Sequence, residues 1–265
     1  MGTYVVTGGS SGIGAAAVEL LKSDGHEVIN VDLRGGDICA NLATQEGRDT
    51  AIEGIVEKCP DGIDGIICNA GVSGNCGNLE LVISLNYFGT VKLARGLFDL
   101  LQKKNGSVVV TVSNTISQGT GRMDIVDLLN NVGDEQRICN IVKTMDATNQ
   151  TVGQSIYMAT KYALARWVRR ISTAWAARGV RVNAVAPGNV RTAMTDSLSD
   201  AAKFAVSALP IPVRYGSDAL MDPEEIAESM RFLLSKRARG INGIILFTDG
   251  GTDALLNSEK VYEEV

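Results

Sequence analysis

The chain opens with the stretch Thr3-Tyr4-Val5-Val6-Thr7-Gly8-Gly9-Ser10-Ser11-Gly12-Ile13-Gly14, in which a short apolar run leads into a glycine-rich turn. The apolar run predicts a strand, and the sequence after the turn predicts a helix over residues 15–22. Glycines at these positions let the backbone bend tightly and approach a phosphate, while the N–H groups at the helix N-terminus point at the anion. We interpret the turn as a pyrophosphate-binding element; an ordinary strand-to-helix loop is the alternative.

A second predicted strand, over residues 27–31, ends at Asp32, eighteen residues past Gly14. An acid at this place can accept hydrogen bonds from both hydroxyls of an adenosine ribose, and it would repel a 2′-phosphate. We therefore predict NAD(H) rather than NADP(H) as the cofactor. Arg34, two residues further on, could reach a phosphate, and a turn-forming role is the alternative for Asp32.

The second informative stretch contains Tyr157 and Lys161, and its apolar residues recur every three or four positions from Ile156 to Ile171. This pattern predicts a long helix that stops at Gly179 and carries Tyr157 and Lys161 on one face. A phenol ionises near pH ~10, and we expect the adjacent ammonium to lower the pKa of Tyr157 toward neutrality. Such a tyrosine can give a proton to a ketone or take one from an alcohol. Because this spacing also arises by chance, two solvated side chains are the alternative.

Two other polar residues stand out against apolar patterns. A helical pattern over residues 79–103 contains Asn86, whose amide competes for backbone groups in a helix interior. Two readings stay open: a solvent-facing side chain, or a helix opened locally to hold a water. Ser113 follows the predicted strand over residues 106–112, and ligands bind at the carboxyl ends of parallel strands. Its hydroxyl could donate to a substrate oxygen, although a lone serine here is often a turn residue.

Strands and helices alternate along the chain without a break in composition. This alternation predicts an α/β fold: a single Rossmann domain over residues 1–265, with a doubly wound parallel sheet of about seven strands. The connection over residues 117–150 is unusually long, and its apolar spacing predicts a helical insertion of two short helices. It is either a solvated excursion or a wall over the substrate. Residues 189–221 are apolar without one clean period, and we expect them to bind substrate.

Composition argues against several classes of protein. With 25 basic and 30 acidic residues and no long basic run, nucleic acid and anionic membranes are not expected partners. Five scattered cysteines and a single histidine, His26, indicate neither a disulfide framework nor a metal site. No apolar stretch has the length of a membrane span, and the first residues do not have the pattern of a leader peptide. We expect a soluble cytoplasmic protein.

These motifs in this order resemble the short-chain dehydrogenase/reductase family over residues 3–251. The family's Thr-Gly-x-x-x-Gly-x-Gly turn matches residues 7–14, and its Asn-Asn-Ala-Gly element appears with Cys68 in place of the first asparagine. Its adenine-contacting aspartate is Asn41 here. Within the family the chain resembles the bacterial 3α-hydroxysteroid dehydrogenase/carbonyl reductases, through residues 31–34, 84–89 and 245–251 and through the long insertion.

The resemblance implies a set of cofactor-binding residues and a set of catalytic residues. The cofactor-binding residues would be Gly8, Ser10, Ser11, Gly12, Ile13, Gly14, Asp32, Leu33, Asn41, Leu42, Asn69, Ala70, Gly71, Tyr157, Lys161, Pro187, Gly188, Val190 and Thr192. The family's catalytic residues match Asn86, Ser113, Tyr157 and Lys161. Tyr157 would be the general acid and base, Ser113 would hold the substrate oxygen, and Asn86 would position a water. Lys161 would hold the nicotinamide ribose.

The expected activity is reversible, NAD(H)-dependent interconversion of a secondary alcohol and a ketone on a hydrophobic substrate, such as a steroid or an aromatic ketone. The alternatives are a β-ketoacyl reductase using NADPH, an epimerase or dehydratase acting on nucleotide sugars, and a non-catalytic dinucleotide-binding protein. The resemblance also implies a dimer or tetramer. Because the insertion could block the face formed by the long helices, we predict a homodimer through another face, formed by the last helix and strand.

Overall fold

The computed structural model of the protein describes residues 1–119, 121–196, 209–214 and 220–260. Within these ranges all the strands are parallel and form one sheet, in the order β3-β2-β1-β4-β5-β6-β7. The strands are β1 (Thr3–Thr7), β2 (Glu27–Asp32), β3 (Ile38–Cys39), β4 (Gly65–Cys68), β5 (Ser107–Thr111), β6 (Arg181–Pro187) and β7 (Ile245–Thr248).

Helices cover both faces of the sheet. They are α1 (Gly12–Ser23), α2 (Gln45–Lys58), α3 (Leu79–Leu81), α4 (Thr90–Gly96), α5 (Phe98–Lys103), α6 (Met123–Asp127), α7 (Glu135–Val142), α8 (Gln150–Ala176), α9 (Ala193–Asp196), α10 (Pro223–Leu234) and α11 (Thr252–Asn257). Two π-helical segments, Val82–Gly89 and Leu128–Val132, and three 3₁₀ turns, Asn114–Ser117, Pro212–Arg214 and Lys236–Ala238, complete the described elements.

The central strands are apolar because both of their faces are buried. Every residue of β4 and β5 is buried, as expected for parallel strands that are covered by helices on both sides. Alternate residues of β5 serve different cores. Val108 and Val110 pack in the core that includes α2 and α8, while Val109 packs with α1 and α10 on the other face.

The order of the strands reverses at β1, which lies between β2 and β4. In such a sheet, ligands bind in the crevice beyond the carboxyl ends of the strands at the point of reversal. Thr7, the last residue of β1, is level with Val31 of β2 and Cys68 of β4. This register brings the glycine-rich turn close to the loop that begins at Asn69.

The predicted fold class is confirmed, but some predicted elements need correction. The pattern over residues 79–103 is not one helix, because the π-helical segment Val82–Gly89 and a break at Leu97 divide it. An apolar period cannot distinguish a π-turn from an α-turn over so few residues. Neither β3 nor α11 is predicted, since both elements are too short to show a period.

The connection over residues 117–150 contains the two helices α6 and α7, which lie against α8 and the Val82–Gly89 segment. Two partly buried ion pairs join α7 to the rest of the domain: Glu135 accepts hydrogen bonds from Arg48 at 2.9 Å and from Lys92 at 2.8 Å. The guanidinium side chain of Arg48 is 2% exposed. This connection therefore packs as part of the domain, and the solvated excursion is excluded for its described residues.

Two sequence predictions extend beyond the described residues. Of the apolar positions expected to bind substrate over residues 189–221, Leu198, Phe204 and Val206 lie outside the described ranges. Thr120 of the insertion does so too. None of the helices within the ranges given above has both the length and the apolar content needed to cross a membrane.

Candidate active site

The glycine-rich turn between β1 and α1 brings the backbone into contact with itself. Gly8 and Gly12 have φ values of 68° and 53°, a region that favours glycine. A Cβ on Gly14 would lie 2.7 Å from the Gly8 carbonyl carbon and would overlap the Gly8 oxygen. The turn can keep this shape only because these positions carry no side chain. It leads into the N-terminus of α1, whose free N–H groups suit a pyrophosphate.

Asp32 lies at the end of β2, beside this turn. One of its carboxylate oxygens accepts a hydrogen bond from the Ser10 amide at 3.0 Å, and the other accepts one from the Leu33 amide at 2.7 Å. The Ser10 hydroxyl in turn donates to the Arg34 carbonyl oxygen at 3.1 Å. The carboxylate is thus held in one orientation, and its remaining lone pairs can accept from ribose hydroxyls.

The loop after β4 is fixed by side chains from both neighbouring strands. The Thr7 hydroxyl accepts hydrogen bonds from the Asn69 and Ala70 amides, both at 3.0 Å, and the Thr111 hydroxyl donates to Asn69 Oδ1 at 3.1 Å. Cys68, which replaces the family's first asparagine, is buried, and burial raises the pKa of its thiol to about 12. We therefore interpret Cys68 as a neutral packing residue of the sheet.

A cavity of about 550 Å³ lies along the carboxyl edge of the sheet. Most predicted site residues line it, namely Gly8, Ser11, Gly12, Ile13, Asp32, Leu33, Asn41, Leu42, Asn69, Ala70, Gly71, Ser113, Tyr157, Lys161, Pro187, Gly188, Val190 and Thr192. Ser10, Gly14 and Asn86 are not lining residues. Each of them contacts a residue that lines the cavity. The Ser10 amide donates to Asp32, Gly14 packs on Gly8, and Asn86 is hydrogen-bonded to Val72.

Sequence reasoning missed part of the cavity wall, namely Val31, Ala40, Val72, Leu81, Leu85, Thr111 and Val112, whereas the lining residues Ala193, Met194 and Thr195 lie in the segment 189–221 that was expected to bind substrate. Several are neighbours of predicted residues at strand ends, and the strand-end rule could have found them. Leu81 and Leu85 could not be found in this way, because they lie in the helical stretch over residues 79–89 and not at a strand end. Among the residues that the structure describes, no group of His, Cys, Asp and Glu is arranged to hold a metal ion.

Ser113, Tyr157 and Lys161 lie together at the carboxyl end of β5. Ser113 is 9% exposed and caps the following 3₁₀ turn, with its Oγ accepting from the Thr115 amide at 3.3 Å. The Ser113 side chain lies close enough to the Tyr157 phenol to lower the pKa of that phenol. Lys161 is 4% exposed; its Nζ donates to the Thr111 carbonyl at 2.9 Å and lies 5.6 Å from the centre of the Tyr157 ring.

The expected lowering of the pKa of Tyr157 toward neutrality is wrong for this structure. Burial raises the pKa of the Tyr157 phenol, and the neighbouring Ser113 side chain opposes that rise. Burial also lowers the pKa of Lys161 to about 8. The sequence spacing predicts that the two side chains are neighbours, but it does not predict how deeply they are buried. Desolvation by burial is the largest cause of both pKa shifts.

Asn86 is fully buried within the π-helical segment Val82–Gly89. Its Oδ1 accepts from the Val72 amide at 2.8 Å, and its Nδ2 donates to the Val72 carbonyl oxygen at 3.0 Å. The solvent-facing reading is therefore wrong, and the helix is opened locally at this residue. The two hydrogen bonds hold the loop after β4, so that Gly71 and Val72 form a fixed part of the cavity wall.

The turn after β6 also borders the cavity. The Gly188 amide donates to the Thr248 carbonyl oxygen of β7 at 3.0 Å, and Val190 forms a parallel bridge with Met221. Thr192 follows and lines the cavity, with its hydroxyl 3.3 Å from that of Thr195. This turn is thus tied to both β7 and the residues before α10.

Comparison with known proteins is consistent with this site. The 3-alpha-hydroxysteroid dehydrogenase/carbonyl reductase of Comamonas testosteroni is 31% identical over 257 residues, which cover 97% of this chain and 98% of that relative. The chain belongs to the short-chain dehydrogenase/reductase family. Two family models match this short-chain dehydrogenase. The model of short chain dehydrogenases matches residues 37–126, and the model of enoyl-(acyl carrier protein) reductases matches residues 135–253.

A solved structure and a further relative extend the comparison. The 3-alpha-hydroxysteroid dehydrogenase of Pseudomonas sp. B-0831, complexed with NADH, matches with a TM-score of 0.88 and 35% identity over 97% of this chain and 99% of that chain. The 3-oxoacyl-[acyl-carrier-protein] reductase of Vibrio cholerae is 28% identical and covers 93% of this chain. The predicted family and enzyme class are confirmed: the protein is a short-chain oxidoreductase that uses a nicotinamide dinucleotide.

Proposed function

We propose that this short-chain dehydrogenase interconverts a secondary alcohol and a ketone on a hydrophobic substrate with NAD(H), as a 3α-hydroxysteroid dehydrogenase or carbonyl reductase. One observation carries the proposal. A single cavity is lined at one end by a glycine turn and Asp32, and at the other by Ser113, Tyr157 and Lys161. A dinucleotide site and a proton-transfer site therefore share one space.

The residues at the first end fit a nicotinamide dinucleotide. The turn at Gly8, Gly12 and Gly14 has no room for side chains and opens on a helix N-terminus, which suits the pyrophosphate. The Asp32 carboxylate suits the two adenosine ribose hydroxyls and disfavours a 2′-phosphate. Thr192 would hold the nicotinamide amide. When bound, the cofactor supplies or accepts the hydride.

We assign the proton transfer to the Tyr157 hydroxyl. In reduction it gives its proton to the carbonyl oxygen, and in oxidation it takes a proton from the alcohol. The raised pKa keeps the phenol protonated at neutral pH, which suits an acid. The Ser113 hydroxyl would donate to the substrate oxygen, where negative charge develops. The cationic form of Lys161, present below pH about 8, would stabilise a phenolate at Tyr157.

The cavity wall supports a hydrophobic substrate. Asp32 and Lys161 are the charged residues among the described residues that line it, and both have roles in the proposed cofactor and proton chemistry. The wall also includes Val72 and Met194, whose apolar side chains would bury the apolar surface of a ligand rather than pair with a charge. We assign residues 117–150 and 189–221 to the substrate side of the site.

We also propose that the enzyme is a cytoplasmic homodimer. All five cysteines are free, which suits a reducing compartment. Because α6 lies against α8, and α7 against the Val82–Gly89 segment, a partner subunit would bind elsewhere, at α10 and β7. Phe232 of α10 is 42% exposed and offers an apolar contact there. Sedimentation should give a dimer, and a tetramer would contradict this assignment.

A panel of ketones and secondary alcohols, run with both NADH and NADPH, tests the proposed function. We expect turnover of steroid or aromatic ketones, with NADH preferred. Turnover restricted to acyl-carrier-bound β-ketoacyl substrates with NADPH would favour the second candidate, a β-ketoacyl reductase, which the Vibrio cholerae relative supports. NADH binding without turnover of any carbonyl compound would instead indicate a non-catalytic dinucleotide-binding protein.

A further inference from the structure

Two buried glycines from distant parts of the chain are in direct backbone contact. A Cβ on Gly74, in the loop after β4, would lie 2.5 Å from the Gly153 carbonyl carbon and 2.9 Å from the Gln154 nitrogen. A Cβ on Gly153, in the first turn of α8, would lie 3.0 Å from the Gly74 carbonyl carbon and would overlap the Gly74 oxygen. The loop and the helix can approach this closely only without side chains at both positions.

The backbone conformation does not require glycine at either position. Neither Gly74 nor Gly153 is among the glycines with positive φ, and Gly153 lies within the regular helix α8. An alanine would therefore suit the local geometry of both positions, and in a helix it would even be favoured over glycine. The close approach of the two backbones is the remaining physical reason for the pair.

This contact connects the catalytic helix to the wall of the cavity. Gly153 lies one helical turn before Tyr157, so its carbonyl oxygen is the acceptor that helix geometry gives the Tyr157 amide. On the other side, Gly74 is two residues from Val72, whose backbone is held at both polar atoms by Asn86. The backbone contact between Gly74 and Gly153 thus links the cavity wall at Val72 to the helix that carries the proton donor, Tyr157.

From this arrangement we infer that Gly74 and Gly153 are positioning residues, which set the distance between Tyr157 and the opposite wall of the substrate site. The inference rests on the proposed role of Tyr157. A methyl group at either position must push the loop away from α8. That displacement would move Tyr157 relative to Ser113 and would widen the space in which a substrate carbonyl is held.

The test compares Gly74→Ala and Gly153→Ala with Gly240→Ala as the matched control. Gly240 has no positive φ, and nothing lies within 4 Å of a Cβ built there. We expect kcat for ketone reduction to fall on the order of 100-fold in the first two variants. NADH affinity, followed by fluorescence, should stay unchanged in all three, because the glycine-rich turn and Asp32 are untouched.

A second readout separates positioning from simple loss of stability. Ser113 lowers the pKa of the Tyr157 phenol, so moving Tyr157 away from it would let that pKa rise. The pH dependence of alcohol oxidation should therefore shift to higher pH in the two variants. A fold defect alone would lower the amount of active enzyme and leave this profile unchanged. Normal kcat and an unshifted profile in both variants would overturn the inference.

Asn149→Ala keeps the test decisive if the alanine variants do not fold. The Asn149 side chain caps α8 by accepting from the Thr151 and Val152 amides at 3.0 and 3.3 Å. Its loss loosens the turn that holds Gly153 without a steric clash. We expect a smaller fall in kcat with the same shift to higher pH, and an unchanged profile would contradict the inference.

Tyr157→Phe distinguishes failure of this inference from failure of the proposed function. If the wild-type enzyme reduces ketones and Tyr157→Phe does not, the role of Tyr157 stands. Unaltered kinetics in the glycine variants then reject the positioning inference alone. If Tyr157→Phe retains normal turnover, the proposed function itself is rejected.

Discussion

The two ends of the cavity are built in different ways. The end lined by the glycine-rich turn and Asp32 is the proposed dinucleotide end. There the Asp32 carboxylate is fixed by hydrogen bonds from the Ser10 and Leu33 backbone amides. The end lined by Ser113, Tyr157 and Lys161 is the proposed reaction end. There Tyr157 and Lys161 are ionisable groups whose pKa values are shifted mainly by burial. The first end is therefore rigid and electrostatically simple, while the second keeps polar groups in an environment that changes their proton affinity. Substitutions at the two ends should affect different measurements.

The largest effect is expected at the reaction end. Tyr157→Phe removes the hydroxyl that gives or takes the proton, so kcat should fall by about 10²–10⁴-fold. NADH affinity should stay close to that of the wild type, because the phenyl ring still fills the space. Steady-state kinetics and fluorescence titration check the two parts. Normal turnover by a folded variant would show that proton transfer does not depend on Tyr157.

At the dinucleotide end, Gly14→Ala should act mainly on binding. The added Cβ would overlap the Gly8 carbonyl oxygen, so the turn must open. We expect NADH affinity to fall at least about tenfold, with a loss of about 1–3 kcal/mol in the free energy of unfolding from overpacking. Isothermal titration and chemical denaturation measure both. Gly240→Ala is the control. Equal effects in the two variants would contradict the proposal that the glycine-rich turn binds the pyrophosphate.

Asp32→Asn should sharpen the contrast, because it removes charge from the dinucleotide end while keeping an oxygen acceptor. The preference for NADH over NADPH, taken as the ratio of kcat/KM values, should fall by about tenfold, since the repulsion of a 2′-phosphate is lost. Asp32→Ala, which loses the hydrogen bonds from both the Ser10 and the Leu33 amides, should reduce use of both cofactors. An unchanged ratio in Asp32→Asn would mean that another residue sets cofactor choice.

The smallest expected effect is on the free energy of unfolding, and here a substitution at the reaction end should increase stability. The folded protein holds Lys161 at a pKa of about 8, below the ordinary 10.5, so its charged form is destabilised by burial. The unfolded state binds more protons between these pH values, and wild-type stability therefore rises from pH 8 toward pH 10.5. Lys161→Met should be more stable by about 1–3 kcal/mol below pH 8, and this gain should shrink at higher pH. Denaturation across this pH range measures it; a less stable variant at pH 7 would contradict the prediction.

Sequence reasoning predicted the dinucleotide end better than the reaction end. Strand, glycine turn, helix and Asp32 lie within one short stretch, so local patterns and spacing were enough to predict their arrangement. The parallel-sheet rule predicted Ser113 at a strand end, and the helix period predicted Tyr157 and Lys161 as neighbours; all three line the cavity. The roles of these residues remain proposals.

The remaining features depend on contacts between distant residues. The π-helical segment around Asn86 and its two hydrogen bonds to Val72 join residues fourteen positions apart, and no local period encodes them. The pKa of Tyr157 was predicted in the wrong direction because burial is a property of the folded molecule. The contact between Gly74 and Gly153 was not predicted either, since each glycine alone resembles an ordinary loop or helix residue.

Transfer of an isotope label tests the proposed chemistry at the point where the two ends of the cavity meet. The enzyme is incubated with a hydrophobic ketone and NADH that carries deuterium at both C4 positions of the nicotinamide, and the alcohol is analysed by mass spectrometry and NMR. We predict one deuterium at the carbinol carbon, delivered to a single face, and a rate that falls with Tyr157→Phe. An alcohol product without the label, or no alcohol from any ketone tried, would contradict the proposed reaction.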